Sequence, residues 1–377
     1  MSAQCLWAAL ILSVPLLSAD FTVTPGQSIQ AAVDGAVAGD RILVQPGTYH
    51  EAGRACPTEP DVRCAVVIST DSISLIANPL PGQPVILENA GAQDTGIAVA
   101  KVGAVVEQCD SDPKQRVNGS HIEGFLVRNF DGRGIYLGCV DNWTVKANTA
   151  ADNGEYGLFP LHCGHGRLTE NIASGSHDTG IYIGLSNGAR VDNNLAHDNV
   201  AGFEIENSTN IEMDHNTAIY NTGGILVFLF PGLDILLNRG NHVHHNFVYD
   251  NNRANACLNP SDEVCAVPPG TGILVLGGDH NQVDNNKVVA NQSFGIALTD
   301  LCTATALPAS VCRSAAFVVI PQFTTIISNM TIGNGGDTKV PNQPGADLIW
   351  SQNGVGNCWL RNQAILVSPP LFPPCER

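Results

Sequence analysis

An all-β solenoid, a single-stranded parallel β-helix with a short N-terminal capping helix, is the fold predicted by three features of the sequence. A glycine returns every 22 or 23 residues, at Gly134, Gly157, Gly180, Gly202 and Gly224. An asparagine follows each of the first four after fourteen residues, at Asn148, Asn171, Asn194 and Asn216, and the same interval separates Gly272 from Asn286. The residues after each glycine alternate in character, the period of a strand rather than a helix. A repeat of this length holds three short strands with their turns, whereas two-helix repeats need more than about 30 residues. Each repeat of a solenoid touches only its neighbours, so the 377 residues form one long domain.

From the N-terminus, residues 6–17 (LWAALILSVPLL) are apolar and end before Ser18-Ala19, the pattern of a secretory signal cleaved near Ala19. This assigns 1–19 to a signal peptide and 20–377 to the β-helix, in a secreted or periplasmic location. The run is shorter than the roughly 18 apolar residues of a membrane span, and no later segment reaches that length. Ser28 to Val33 reads as the capping helix and Asp40 to Tyr49 as the first turn of the solenoid. In the repeats, the first and third residues after glycine point inward, giving an aliphatic column such as Ile181, Ile183, Phe203, Ile205, Ile225 and Val227. The repeated asparagine suits a ladder in which each amide donates to one neighbouring coil and accepts from the other. Asn153, Asn199, Asn221, Asn251 and Asn291 suit a second ladder.

The same arithmetic isolates two insertions. Gly224 to Asn246 spans 22 residues instead of 14, which places a loop near 229–238, and Asn246 to Gly272 spans 26 instead of eight or nine, which places another near 253–270. Loops leaving a solenoid on one side commonly build its binding site. Of twelve cysteines, Cys5 falls in the signal; Cys56 with Cys64, Cys257 with Cys265, Cys302 with Cys312 and Cys358 with Cys375 have the spacing of loop-closing disulfides in an oxidising compartment. Cys109, Cys139 and Cys163 remain, an odd number that leaves at least one thiol free. Lys and Arg total 18 against 35 Asp and Glu, and the net charge of −17 repels phosphate backbones and anionic lipid, which argues against nucleic acid as a partner. An anionic polymer is held only through a bridging cation or a local basic patch.

The helix followed by DRILVQPGTY (40–49) resembles the N-terminal cap and first turn of the pectin-lyase-like right-handed β-helix superfamily. GIYIGLS (180–186), FEIENS (203–208), GGILVF (223–228) and GNCW (356–359) resemble a narrower group of secreted bacterial β-helix repeat proteins of unsettled activity. The resemblance implies a right-handed coil and, for the narrower group, a cytochrome-c-like protein partner.

Outward positions on the glycine strands form a non-random column. Two residues after glycine come Tyr136, Phe159, Tyr182 and Glu204; four after come Gly138, Leu161, Gly184 and Glu206. Exposed aromatics beside carboxylates suit a carbohydrate platform, with Tyr136, Phe159, Glu155 and His177 as substrate contacts. By superfamily analogy this implies a lyase or epimerase acting on a uronate-containing polymer. Asp178, Glu204 and Glu206 would hold Ca²⁺ against the substrate carboxylate, Tyr182, His162 or His165 would act as base, and Arg167 would stabilise the enolate-like intermediate. The same carboxylates also suit a hydrolase. A different reading is a non-catalytic module that binds glycan, metal or the cytochrome-like protein. Its metal candidate is a second constellation, Glu212 and Asp214 stacked against His242 and His244 one coil later, with Arg190 near enough to pair with Glu212.

Overall fold

A computed structural model describes residues 18–305, 319–340 and 345–376. The expected signal peptide therefore lies almost wholly outside the described residues, and so does Cys312. Three sheets of 12, 11 and 12 strands run the length of the molecule. Each strand pairs in parallel with its equivalent one coil away; a short antiparallel contact joins Arg54–Ala55 to Arg63–Ile68. One coil comprises Thr179–Gly184, Arg190–Asp192 and Leu195–His197. The next comprises Ala201–Glu206, Glu212–Asp214 and Thr217–Ile219. We refer to these successive strands as belonging to the glycine sheet, the middle sheet and the third sheet.

The expected register holds. Ile181 pairs with Phe203, Tyr182 with Glu204 and Gly184 with Glu206. The inward residues of the glycine sheet stack with those of the middle sheet, such as Val145, Leu168, Val191 and Met213, in one continuous core. Each such side chain taken from water stabilises the fold by about 1.5–3 kcal/mol, and repetition along the axis sums these contributions.

The asparagine ladder runs Asn148, Asn171, Asn194, Asn216, Asn246, Asn286, Asn329, Asn362, with each side-chain amide donating to the side-chain oxygen of the next asparagine at 2.9–3.2 Å. Each carbonyl also accepts the backbone N–H of the preceding coil's asparagine, for example Asn194 N to Asn216 at 3.0 Å. The second ladder is equally regular from Asn199 through Asn221, Asn251 and Asn291 to Asn334. Before each first-ladder asparagine stands a residue with positive φ, including Glu170, Asn193, His215, His245 and Asn285. That conformation bends the chain sharply between strands, and Asn, Asp and His tolerate it better than most residues.

The capping helix spans Ile29–Gly35, with Ser28 accepting from the Ala31 N–H. Glu51 closes the same end, accepting from the Ile29 N–H at 2.6 Å and from the Ser28 hydroxyl at 2.6 Å. Disulfides join Cys56 to Cys64, Cys257 to Cys265 and Cys358 to Cys375 as expected, Cys109 joins Cys139, and Cys163 is the buried free thiol among the described residues. The segment between Phe247–Tyr249 and Thr271–Leu276 reaches the outer face of the glycine sheet, where Asp262, Glu263 and Val264 line one cavity with Tyr182, Glu204 and Glu206.

Candidate active site

On that face the outward column is present but covered. Tyr136, Phe159 and Tyr182 are 2–7% exposed, not the open platform expected from the sequence. Their rings stack along the column, Tyr136 on Phe159 at 5.9 Å and Phe159 on Tyr182 at 4.6 Å between centroids. The space beside the small residues is taken by the tyrosines themselves. A Cβ on Gly138 would lie 2.3 Å from the Tyr136 hydroxyl, and one on Gly184 would meet Tyr182 in the same way. Those glycines let each ring lie flat along its own strand. Thr58, in the loop closed by Cys56 and Cys64, hydrogen-bonds the Tyr136 hydroxyl at 3.2 Å. Arg133 lies over both Tyr136 and Phe159, at 5.3 and 5.2 Å from their centroids.

Where the column turns acidic, a cavity of roughly 220 Å³ opens. Six carboxyl groups line it: Glu155, Asp178, Glu204 and Glu206 from the coils, and Asp262 and Glu263 from the second insertion. Tyr156 and Tyr182 complete the polar wall, and Phe228 and Phe230 form the apolar one. Glu204 is 4% exposed, and none of the four coil carboxylates forms an ion pair with a lysine, arginine or histidine among the described residues. The Tyr182 hydroxyl donates to Glu206, and Thr179 donates to Asp178 at 3.0 Å.

Burial without a cation decides the electrostatics. Desolvation raises Asp178 to about 6, with Glu155 and Asp262 adding to it against the Tyr156 and Thr179 hydroxyls. Desolvation raises Glu206 to about 7, opposed by the Tyr182 hydrogen bond and reinforced by Glu263 and Asp178. Glu204 is held well above the usual carboxylate range by burial and then by Asp178 and Glu206. Burial and the adjoining carboxylates push the phenols of Tyr156 and Tyr182 upward, so both stay protonated. The set thus holds carboxyl groups poised to exchange protons near neutral pH beside two phenols that can donate.

A family model described as "Right handed beta helix region" matches residues 95–238. The chain is a right-handed parallel β-helix. Among solved structures it is similar to the A-module of Azotobacter vinelandii mannuronan C-5 epimerase AlgE4, at TM-score 0.60 and 15% identity, covering 93% of this chain and 94% of that one. The A-module of Azotobacter vinelandii mannuronan C-5 epimerase AlgE6 gives TM-score 0.58 and 15% identity over 91% and 95% of the two chains. No curated protein matches by sequence. At such identity the likeness establishes the fold.

Several residues expected at the site lie elsewhere on the β-helix. His162 occupies the positive-φ corner that follows a glycine strand; it is 2% exposed and stands 3.4 Å from Asp234 of the first insertion. His165 is one turn further on and lines a separate hollow with Arg116 and Asp141. Arg167 belongs to the middle sheet, where its guanidinium grips Asp192 through two contacts of 2.7 Å. None of these three reaches the acidic cavity, because the corner after the glycine strand turns the chain onto another face. His177 is diverted too: its ring is bonded to the Ala256 carbonyl at 2.8 Å and so anchors the second insertion. Tyr156, Asp262 and Glu263 were not anticipated. Tyr156 precedes its glycine and leans over the sheet onto Phe159, with ring centroids 4.2 Å apart. The two acids sit between the paired cysteines of the insertion, which was the available signal.

The second constellation forms on the middle sheet. Ligand atoms of Glu212, Asp214 and His244 all lie within 4.8 Å of one another. His242 turns instead to Asp284 of the following coil. Arg190 pairs with Asp214, at 3.0 and 2.9 Å, rather than with Glu212, because Asp214 is the buried one and its carboxylate faces back along the strand pair. No helix among the described residues is long and apolar enough to cross a membrane.

Proposed function

We propose that this is a secreted polysaccharide-active enzyme, a lyase or epimerase acting on a uronate-containing polymer. The observation that carries the proposal is the cavity in which Glu204 is buried and Asp178 and Glu206 are half-buried, beside two hydroxyl donors and no paired base. Both reactions begin by removing the proton on the carbon next to the uronate carboxylate. Glu206, raised close to neutrality, suits the base. Tyr182 and Tyr156 remain protonated and suit the donor that protonates the leaving oxygen in a lyase, or the carbanion-like carbon in an epimerase. Tyr182 is thus assigned as a proton donor, in place of the base expected from the sequence. The solved epimerase modules named above share this fold at full length, which supports the class of substrate.

An all-oxygen donor set without a basic partner fits a hard divalent cation such as Ca²⁺. Asp178 and Glu204 would hold it, which leaves Glu206 free as the base, and when bound it would neutralise the substrate carboxylate, a role for which the cavity lining provides no lysine or arginine. Their oxygens do not converge as the Glu212 cluster does, so the polymer's own carboxylate is needed to complete the coordination.

The test is incubation of the protein with uronate polymers in D₂O, with Ca²⁺ added or chelated, following both deuterium entry into the sugar and ultraviolet absorption by unsaturated ends. Ultraviolet absorption without deuterium entry identifies a lyase, because the deprotonated carbon ends in the double bond; deuterium entry without absorption identifies an epimerase, because that carbon is reprotonated from solvent. Turnover by either readout that is undiminished in Glu206→Gln and Glu204→Gln would overturn the assignment.

A further inference from the structure

We propose that the middle sheet carries a site for one divalent first-row transition ion, such as Zn²⁺, with Glu212, Asp214 and His244 as its protein ligands. This site is separate from the acidic cavity: Glu212 and Asp214 share a coil with Glu204 and Glu206 but stand on a different sheet, beyond the corner.

The coil geometry creates the site. Asp214 pairs directly with His244 in the ladder and Glu212 pairs with His242, so outward carboxylates and imidazoles stand one strand spacing apart. His244 leans back across its neighbour, bringing Nε2 to 3.3 Å from Glu212 Oε1. Two further histidines crowd the group from the positive-φ corner, His215 at φ 55° and His245 at φ 54°. Their rings stack at 5.2 Å between centroids. His215 bonds Asp214 at 2.7 Å, and His242 stacks on His244 at 3.9 Å.

The contacts behind the ligands match what a metal-bound imidazole and carboxylate need. His244 Nδ1 and His245 Nδ1 are 2.8 Å apart and share one hydrogen. When His244 donates it, Nε2 is left as a bare lone pair facing the carboxylate oxygens, and a cation between them removes the repulsion. A ligating histidine whose other nitrogen is tied to an acceptor is fixed in tautomer and direction. Asp214, fully buried, is fixed by Arg190 at both carboxylate oxygens and by His215 at one, with a carboxylate oxygen within 4.8 Å of the ligand atoms of Glu212 and His244. Imidazole with carboxylate suits Zn²⁺, Co²⁺, Ni²⁺ or Cu²⁺ more than Ca²⁺, which prefers an all-oxygen shell.

The experiment uses the full mature protein with any affinity tag removed, dialysed against Zn²⁺ or Co²⁺ and then assayed for bound metal. The expected result is one equivalent per chain, visible Co²⁺ absorption bands, and retention against a large excess of Ca²⁺. Both His244→Ala and Glu212→Gln, at partly exposed positions, should weaken uptake at least tenfold, while Glu204→Gln leaves it unchanged. No stoichiometric uptake, uptake in both cluster variants equal to that of wild type, or uptake abolished by Glu204→Gln would each overturn the proposal, the last by placing the ion in the cavity. Displacement by Ca²⁺ would do the same.

Discussion

The glycine sheet and the middle sheet offer the same outward positions on the same coils, yet their carboxylates behave oppositely. Glu206, under the second insertion with only a phenol to bond, is raised to about 7 by desolvation. Asp214 is buried, and desolvation pushes it up too, but hydrogen bonds from Arg190 and His215 outweigh that and leave it lowered. What separates the two is the company each keeps across the strand ladder: a loop that brings more acids on one face, and arginines one coil apart on the other. A β-helix can thus turn a repeated position into either a proton reservoir or a structural ion pair by changing a neighbour.

The largest expected effect breaks the cavity side of this comparison. Glu206→Gln should lower turnover of the polymer by about 10²–10⁴-fold, the usual contribution of general acid–base catalysis, with Asp214→Asn serving as the control that leaves turnover in place. Stability should respond to pH in a way that exposes the same contrast. A carboxyl whose folded pKa is raised is stabilising below its unfolded value and loses that contribution as pH rises toward the folded one, here from 4.5 to about 7. Thermal or urea unfolding of Glu206→Gln should therefore show a gain over wild type of about 2–3 kcal/mol at alkaline pH and little change in acid; a gain independent of pH would contradict the reading.

Removing the cover is the next smaller step. Cys257→Ser with Cys265→Ser loosens the loop that carries Asp262 and Glu263, so water reaches the cavity and the carboxyl groups relax toward ordinary values. The pH–rate profile should shift to the acid side, by about one unit, while the far-ultraviolet spectrum of the sheets stays as it was. Smallest is the ion-pair side. A lowered Asp214 contributes stability above its unfolded pKa and loses it as pH falls through the folded one, so Asp214→Asn should cost about 1 kcal/mol near neutral pH and nothing in strong acid. Arg190 is half exposed, which keeps that cost modest.

Much of this was legible in the sequence for a physical reason. Stacking forces equivalent residues into equivalent places, so Gly180 with Gly202 or Asn194 with Asn216 announces the coil, its inward column and its ladders. The outward acids Asp178, Glu204 and Glu206 follow from alternation, and the structure gathers them into one cavity. Register says nothing, however, about what covers a face. The burial of Tyr136 and Tyr182, the arrival of Asp262 and Glu263, and the diversion of His177 to Ala256 all depend on where an insertion folds back. His162, His165 and Arg167 are close in sequence to the cavity strands but beyond a corner, and sequence proximity does not survive a corner.

Successive coils of the glycine sheet present Tyr136, Phe159, Tyr182, Glu204, Leu226 and Leu274 at one register position, with a rise fixed by backbone pairing at about 4.8 Å. Along the axis the column passes from aromatic to acid to aliphatic, one step per coil, beneath the loops that cover it. The two ends of the column are therefore chemically unlike, and the acidic cavity has an aromatic wall on one side and an aliphatic one on the other.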